Sequence, residues 1–118
     1  MTVETDIFIA LKSLVGNRVY ENFAPLGTPR PFIVYEHNGG EALSFLDGAL
    51  PDKKHGIFEI SVYSDDRLTR TSIALQVESA MAAQTAFVSA AITSQFSAYA
   101  QDVKIYSSTQ NFSIYSTR

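Results

Sequence analysis

From residue 86 to residue 117 the chain carries only two charged side chains, Asp102 and Lys104. The rest is mostly Ser, Thr, Ala, Gln, Phe, Tyr and Ile. Ala90, Ile92, Phe96 and Ala98 fit one strand; Phe112 and Ile114 fit another, with Tyr115 on its opposite face. The segment therefore reads as a long β-hairpin with its turn near residues 100–104. Its outward face would present Ser, Thr, Gln, Asn and Tyr. Charged edges resist pairing with a neighbour, whereas uncharged, tyrosine-rich strands can pair edge to edge or stack. Two readings stay open: an ordinary solvent-facing strand pair, or a protein–protein interface.

The elements before it define the rest of the fold. Val3, Ile7, Ala10, Leu11 and Leu14 recur at helical spacing. Thr2 is a candidate cap, Glu4 and Asp6 fall in the first turn where the helix dipole favours negative charge, and Gly16-Asn17 stops the helix. Residues 18–23 read as a short strand. Three prolines and a glycine in residues 24–31 forbid helix or central strand and predict an ordered arm, rigid and suited to lying on a neighbouring subunit. Residues 32–37 read as a strand covered on both faces, ended by Gly39-Gly40. In residues 41–56, a short strand over 42–46, a turn at Asp47-Gly48 and an exposed loop over 50–56 are expected. Phe58, Ile60 and Val62 alternate with Glu59 and Ser61, as in a half-buried strand. Asp65 or Asp66 caps a second helix reaching about Ala83. Ile73, Val77, Ala80 and Met81 form its stripe, Leu68 and Leu75 widen it, and Thr69, Arg70, Gln76 and Glu78 are its wetter positions. The order helix, strands, helix, hairpin indicates an α+β fold. The sheet is expected to be mixed or mainly antiparallel, with two helices packed on one face and a long C-terminal β-hairpin.

Composition excludes several kinds of chemistry. The chain has 118 residues, enough for one domain with a core, and a single domain over residues 1–118 is expected. It has no cysteine, so disulfides, thiolate metal sites and cysteine nucleophiles are ruled out. The net charge of −3 and the scattered Lys and Arg argue against specific or non-specific nucleic-acid binding. No apolar run reaches membrane-spanning length and Glu4 and Asp6 oppose a signal peptide, so a cytosolic, membrane-free protein is expected. His37 and His55 are the only histidines, too few for a metal site without cysteine, and read as polar residues near strand ends. Asp65-Asp66 could be a carboxylate pair, but helix capping accounts for it better. No nucleophile elbow, phosphate loop or dinucleotide fingerprint occurs. No catalytic, cofactor-binding or metal-binding residue is assigned, and no enzyme activity is expected.

The order of features resembles a known family. The first helix runs out through Leu11-Lys12-Ser13-Leu14-Val15-Gly16-Asn17-Arg18-Val19-Tyr20. Ala24-Pro25-Leu26-Gly27-Thr28-Pro29-Arg30-Pro31-Phe32-Ile33-Val34-Tyr35-Glu36 follows. Phe58-Glu59-Ile60-Ser61-Val62-Tyr63-Ser64 then leads into an alanine-rich helix, and the closing hairpin carries Tyr106 and Phe112-Ser113-Ile114-Tyr115. In this order they resemble the small tail completion, or tail terminator, proteins of long-tailed phages, prophages and gene transfer agents. The resemblance covers nearly the whole chain and rests on order and spacing. It implies an α/β sandwich and a structural role in the virion tail, assembled in the host bacterial cytoplasm. Such proteins form a ring, typically a hexamer, that ends tail-tube polymerisation and presents a surface to the head-side connector or stopper. The expected partners are thus further copies of the chain, the tail tube protein and that connector.

A closed ring needs two different complementary patches on each subunit. The closing hairpin and the loop over 41–56 are the candidates, with Asp52, Lys53, Lys54, Tyr99, Tyr106 and Tyr115 as interface residues. Lys53-Lys54 also reads as a solvated loop tip. Two alternatives compete: a small peptide- or protein-binding module using an exposed sheet edge, and an enzyme or ligand carrier with a deep pocket near His37 or His55.

Overall fold

The computed structural model describes residues 3–40 and 53–117. Helix α1 (Val3–Leu11) forms where the apolar spacing puts it and buries Val3, Ile7 and Leu11. The chain then tightens into a 3-10 turn over Lys12–Leu14. Gly16 and Asn17 follow with φ of 59° and 68°, a left-handed conformation that glycine and asparagine tolerate best. Thr2 and the strand and turn expected within residues 41–48 lie outside the described residues.

Six strands make one mixed sheet. Strand β1 (Val19–Glu21) runs parallel to β2 (Phe32–His37), and every other pairing is antiparallel. Strands β3 (Lys53–Ser64) and β6 (Ile105–Thr117) pair at its centre over the whole of β3, from Lys53 with Thr117 to Ser64 with Tyr106. At about 3.4 Å per residue each spans roughly 40 Å, which accounts for an elongated body of 53 × 25 × 24 Å. Strands β4 (Val88–Ala91) and β5 (Phe96–Ala100) lie end to end along the outer side of β6, with the turn at residues 101–104. The order across the sheet is β1-β2-β3-β6-β4, with β5 also on β6.

Register decides which side chains form the core. Ile33 pairs with Val62, Tyr35 with Ile60, and Phe58 with Phe112. With Ile114 these side chains share one face and are all buried. Helix α2 (Arg67–Ala83) and α1 both pack on it, contributing Ile73, Ala74, Val77, Met81, Ile7 and Leu11 to one continuous core. Fully burying a side chain of this size stabilises the fold by about 1.5–3 kcal/mol.

Several expectations are corrected. Among the described residues strand β2 is fully buried on one face only: Ile33 and Tyr35 face the helices, while Phe32 and Val34 face the other way and are half-buried. Residues 53–56 are not loop but the start of β3, because residues 114–117 of β6 continue far enough to pair with them. Leu68 and Leu75 do not widen the stripe of α2 and are exposed, since helical rotation carries them away from the line through Ile73 and Val77. Arg70, expected to be wet, lies one turn before Ile73 and is only 9% exposed. Its guanidinium sits over the Tyr106 ring, 5.7 Å from the centroid, and Nη1 donates to the Ser107 carbonyl at 3.5 Å. A long aliphatic stem lets arginine occupy such a position.

The first arm of the hairpin is also interrupted. Ile92 to Gln95 leave the strand, and the break is fastened to α2. The Ile92 N–H donates to the Asn111 carbonyl at 2.8 Å. Gln110 Nε2 donates to the Thr93 carbonyl at 2.9 Å and to Glu78 Oε2 at 2.8 Å. Gln95 Nε2 donates to the Ala74 carbonyl at 3.2 Å. Gln110 thus satisfies the Thr93 carbonyl that the interrupted ladder leaves open, and the bonds to Ala74 and Glu78 hold the break against α2.

Candidate assembly surface

No helix among the described residues covers the second face of the sheet. It carries Phe32, Val34, Glu36, His55, Ile57, Glu59, Ser61, Tyr63 and the odd-numbered residues of β6. Its side chains pair across strands. Phe32 stacks on Tyr63 at 5.1 Å and His55 on Tyr115 at 4.5 Å between ring centroids. The Ser61 and Thr109 hydroxyls are hydrogen-bonded at 2.9 Å, and His55 Nε2 lies 2.6 Å from Ser113 Oγ. Such pairs are the usual unit of sheet stabilisation, and here they join hydroxyls and aromatic rings on a face that also carries Val34, Ile57, Glu36 and Glu59.

The predicted interface residues separate into two places. Asp52 lies outside the described residues. Lys53 and Lys54 open β3 and pair with Thr117 and Ser116, next to the pairing of His55 with Tyr115. Tyr99 and Tyr106 stand at the other end of β6, with ring centroids 4.4 Å apart. They project on the helix-bearing side, whereas Tyr115 projects on the bare side. The three tyrosines therefore cannot form one patch.

The titratable groups that drew notice in the sequence have structural occupations. Asp66 caps α2, accepting from the Thr69 N–H at 2.9 Å and the Thr69 hydroxyl at 3.0 Å. These bonds, the backbone one foremost, hold its carboxyl below the usual carboxylate range. Asp65 pairs with Arg30 at 2.6 Å. The ring of His37 stacks on Phe58 at 4.7 Å, on the face opposite to His55. The cavity beside it, lined by Val3, Glu4, Lys54 and Phe58 among others, measures about 30 Å³. That holds about one water and falls far below the several hundred Å³ of a metabolite site. Burial, followed by the charges of Glu21 and Glu4, pushes the Tyr35 hydroxyl up to about 12. Among the described residues no three His, Asp or Glu gather to hold a metal, and no helix is long and apolar enough to cross a membrane.

Two segments were legible in the sequence, but the exposed apolar residues on them were missed. The first is the tip of the proline arm. The Thr28 N–H donates to the Pro25 carbonyl at 3.1 Å, and Gly27 has φ of 83° at the third position of this turn, where a type II turn requires glycine. The turn holds Leu26 fully in solvent, at 106% relative exposure, and Phe23 is exposed beside it. Arg30 ties the arm down through Asp65 and through the Val103 and Lys104 carbonyls, each at 3.3 Å. The second is the β4–β5 edge, where Val88, Ile92 and Phe96 are exposed, Phe96 at 73%. A readable signal existed for both: large apolar residues where no helical or strand period buries them.

The described residues thus form an α+β domain with two helices packed on one face of a mixed sheet, its Asp65-Asp66 pair taken up by an ion pair and a helix cap. A family model described as Tail completion protein gp17 matches residues 9–117. The chain belongs to this family of structural phage proteins. It is a component of the virion tail, acts in tail assembly and interacts with other tail and head components. No curated protein matches it.

Proposed function

We propose that the chain acts as one tail-terminator-like domain over residues 1–118. It caps the tail tube as a ring of identical copies, a hexamer, ends tube polymerisation and joins tail to head. Its partners are its own copies, the tail tube protein and the head-side connector or stopper, and assembly takes place in the host bacterial cytoplasm. It carries no catalytic site and needs no cofactor. The observation that supports this reading is the division of the sheet. One face is committed to the core, while no described helix covers the other face and one long edge, residues 88–100, carries no charge. Ring closure needs two unlike patches per subunit. Tyr99 and Tyr106 lie at one end of β6 and Tyr115 at the other, where Lys53 and Lys54 open β3 with Lys54 on the helix-bearing side.

Deleting the gene in its parent phage or prophage and imaging the induced lysate by negative stain tests the reading. Tailless heads beside tails of uneven length are expected. Intact particles of normal length would reject the terminator role and favour a peptide-binding module using the sheet edge. Replacing Lys53 and Lys54 together by Glu should lower particle yield. A normal yield would remove these lysines from the interface.

A further inference from the structure

We infer that the proline arm of one copy docks along the β4–β5 edge of the next copy, and that this contact closes the ring. The inference rests on the ring proposed above and assigns its two patches. The two edges of the sheet differ. Strand β1 has three residues, and local bonds occupy its ends: Val19 N–H to the Asn17 carbonyl at 3.0 Å and Phe23 N–H to the Glu21 carbonyl at 2.8 Å. From residue 88 to residue 100 the opposite edge contains no charge and no proline. Proteins normally blunt an open edge with one or the other, because unpaired N–H and C=O groups recruit another chain. This edge instead adds exposed Val88, Ile92 and Phe96.

The arm matches it. Residues 23–29 are uncharged, so neither side brings an ion to be desolvated. Pro25 and Pro29 lack N–H groups, leaving the arm rich in carbonyl acceptors for the donors of an open edge. Its turn and the Arg30 anchor fix the tip before contact, which lowers the ordering cost of docking. A second copy is the fitting occupant because both halves of the contact are present on each chain and are unlike. Unlike patches give a head-to-tail contact that can close into a ring, whereas two β4–β5 edges pairing with each other would stop at two copies.

The absence of cysteine makes the test clean. Leu26→Cys with Ile92→Cys, and as a second pair Phe23→Cys with Phe96→Cys, are introduced into the parent phage. Purified particles are oxidised and run on non-reducing gels. All four positions are exposed, so folding should survive, and the second pair decides if the first yields no particles. A ladder of covalent oligomers from a double variant, with monomer from each single variant, is the expected result. Monomer from both pairs, in particles where a lysine-reactive cross-linker still gives a ladder, would overturn the arm–edge contact and leave the ring standing. No ladder with either chemistry would reject the ring itself. Dimers from Ile92→Cys alone would mean that edges pair with each other and would also overturn the inference.

Discussion

Phe112 and Ser113 are neighbours in β6, yet Phe112 is buried opposite Phe58 under the helices while Ser113 meets His55 on the bare face. The same alternation runs through β2 and β3, so one set of strands builds two surfaces with different duties. The helix-bearing face collects Ile33, Phe58, Ile60, Val62, Phe112 and Ile114 in the buried core. The second face, which no described helix covers, collects side chains that pair with one another across strands. A two-residue period makes this division possible, because changing one face need not disturb the other.

Four substitutions would break or sharpen the comparison, taken in order of their effect on folding. Phe112→Ala should cost about 3–5 kcal/mol in urea unfolding, as deletion of a core aromatic does. A loss below about 1 kcal/mol would mean that the helix-bearing face is not the main source of stability. Tyr35→Phe tests the same face through pH. The folded-state value of about 12 lies above the ordinary 10.0, so the tyrosine's contribution is intact below pH 10 and is lost as pH rises towards 12. The variant should melt with wild type at pH 7 and above it at pH 11. Equal losses at pH 11 would show that another group governs alkaline unfolding. On the bare face, Thr109→Val removes the hydroxyl bonded to Ser61 and should cost about 1 kcal/mol by denaturant titration. A cost near that of Phe112→Ala would erase the distinction between faces. At the edge, Phe96→Lys should leave stability within about 0.5 kcal/mol of wild type and still reduce the yield of tailed particles. Unchanged yield would take the edge out of assembly.

Much of this architecture was legible from local pattern. Helix α1, strand β2, the half-buried strand through Phe58 and Ile60, the Asp66 cap and the turn after Ala100 follow from periodicity and turn chemistry that act over a few residues. The misreadings share one cause. Residues 53–56 have loop-like composition, but β6 is long enough to pair with them. Arg70 is polar, but Tyr106 and the Ser107 carbonyl give its guanidinium a place to lie. The candidate surface was legible only in part: the uncharged hairpin and the rigid arm were visible, whereas the separation of Tyr99 and Tyr106 from Tyr115 was not.

By itself the sequence determined the element order, the α+β class, the exclusion of cysteine chemistry and the low charge of the closing hairpin. These depend on composition and on contacts within a turn or a strand. Only the tertiary structure decided the register of β3 on β6, and with it which face the helices cover and which edge stays open. Register is fixed by partners far apart along the chain, and shifting it by one residue moves every side chain of a strand to the opposite face.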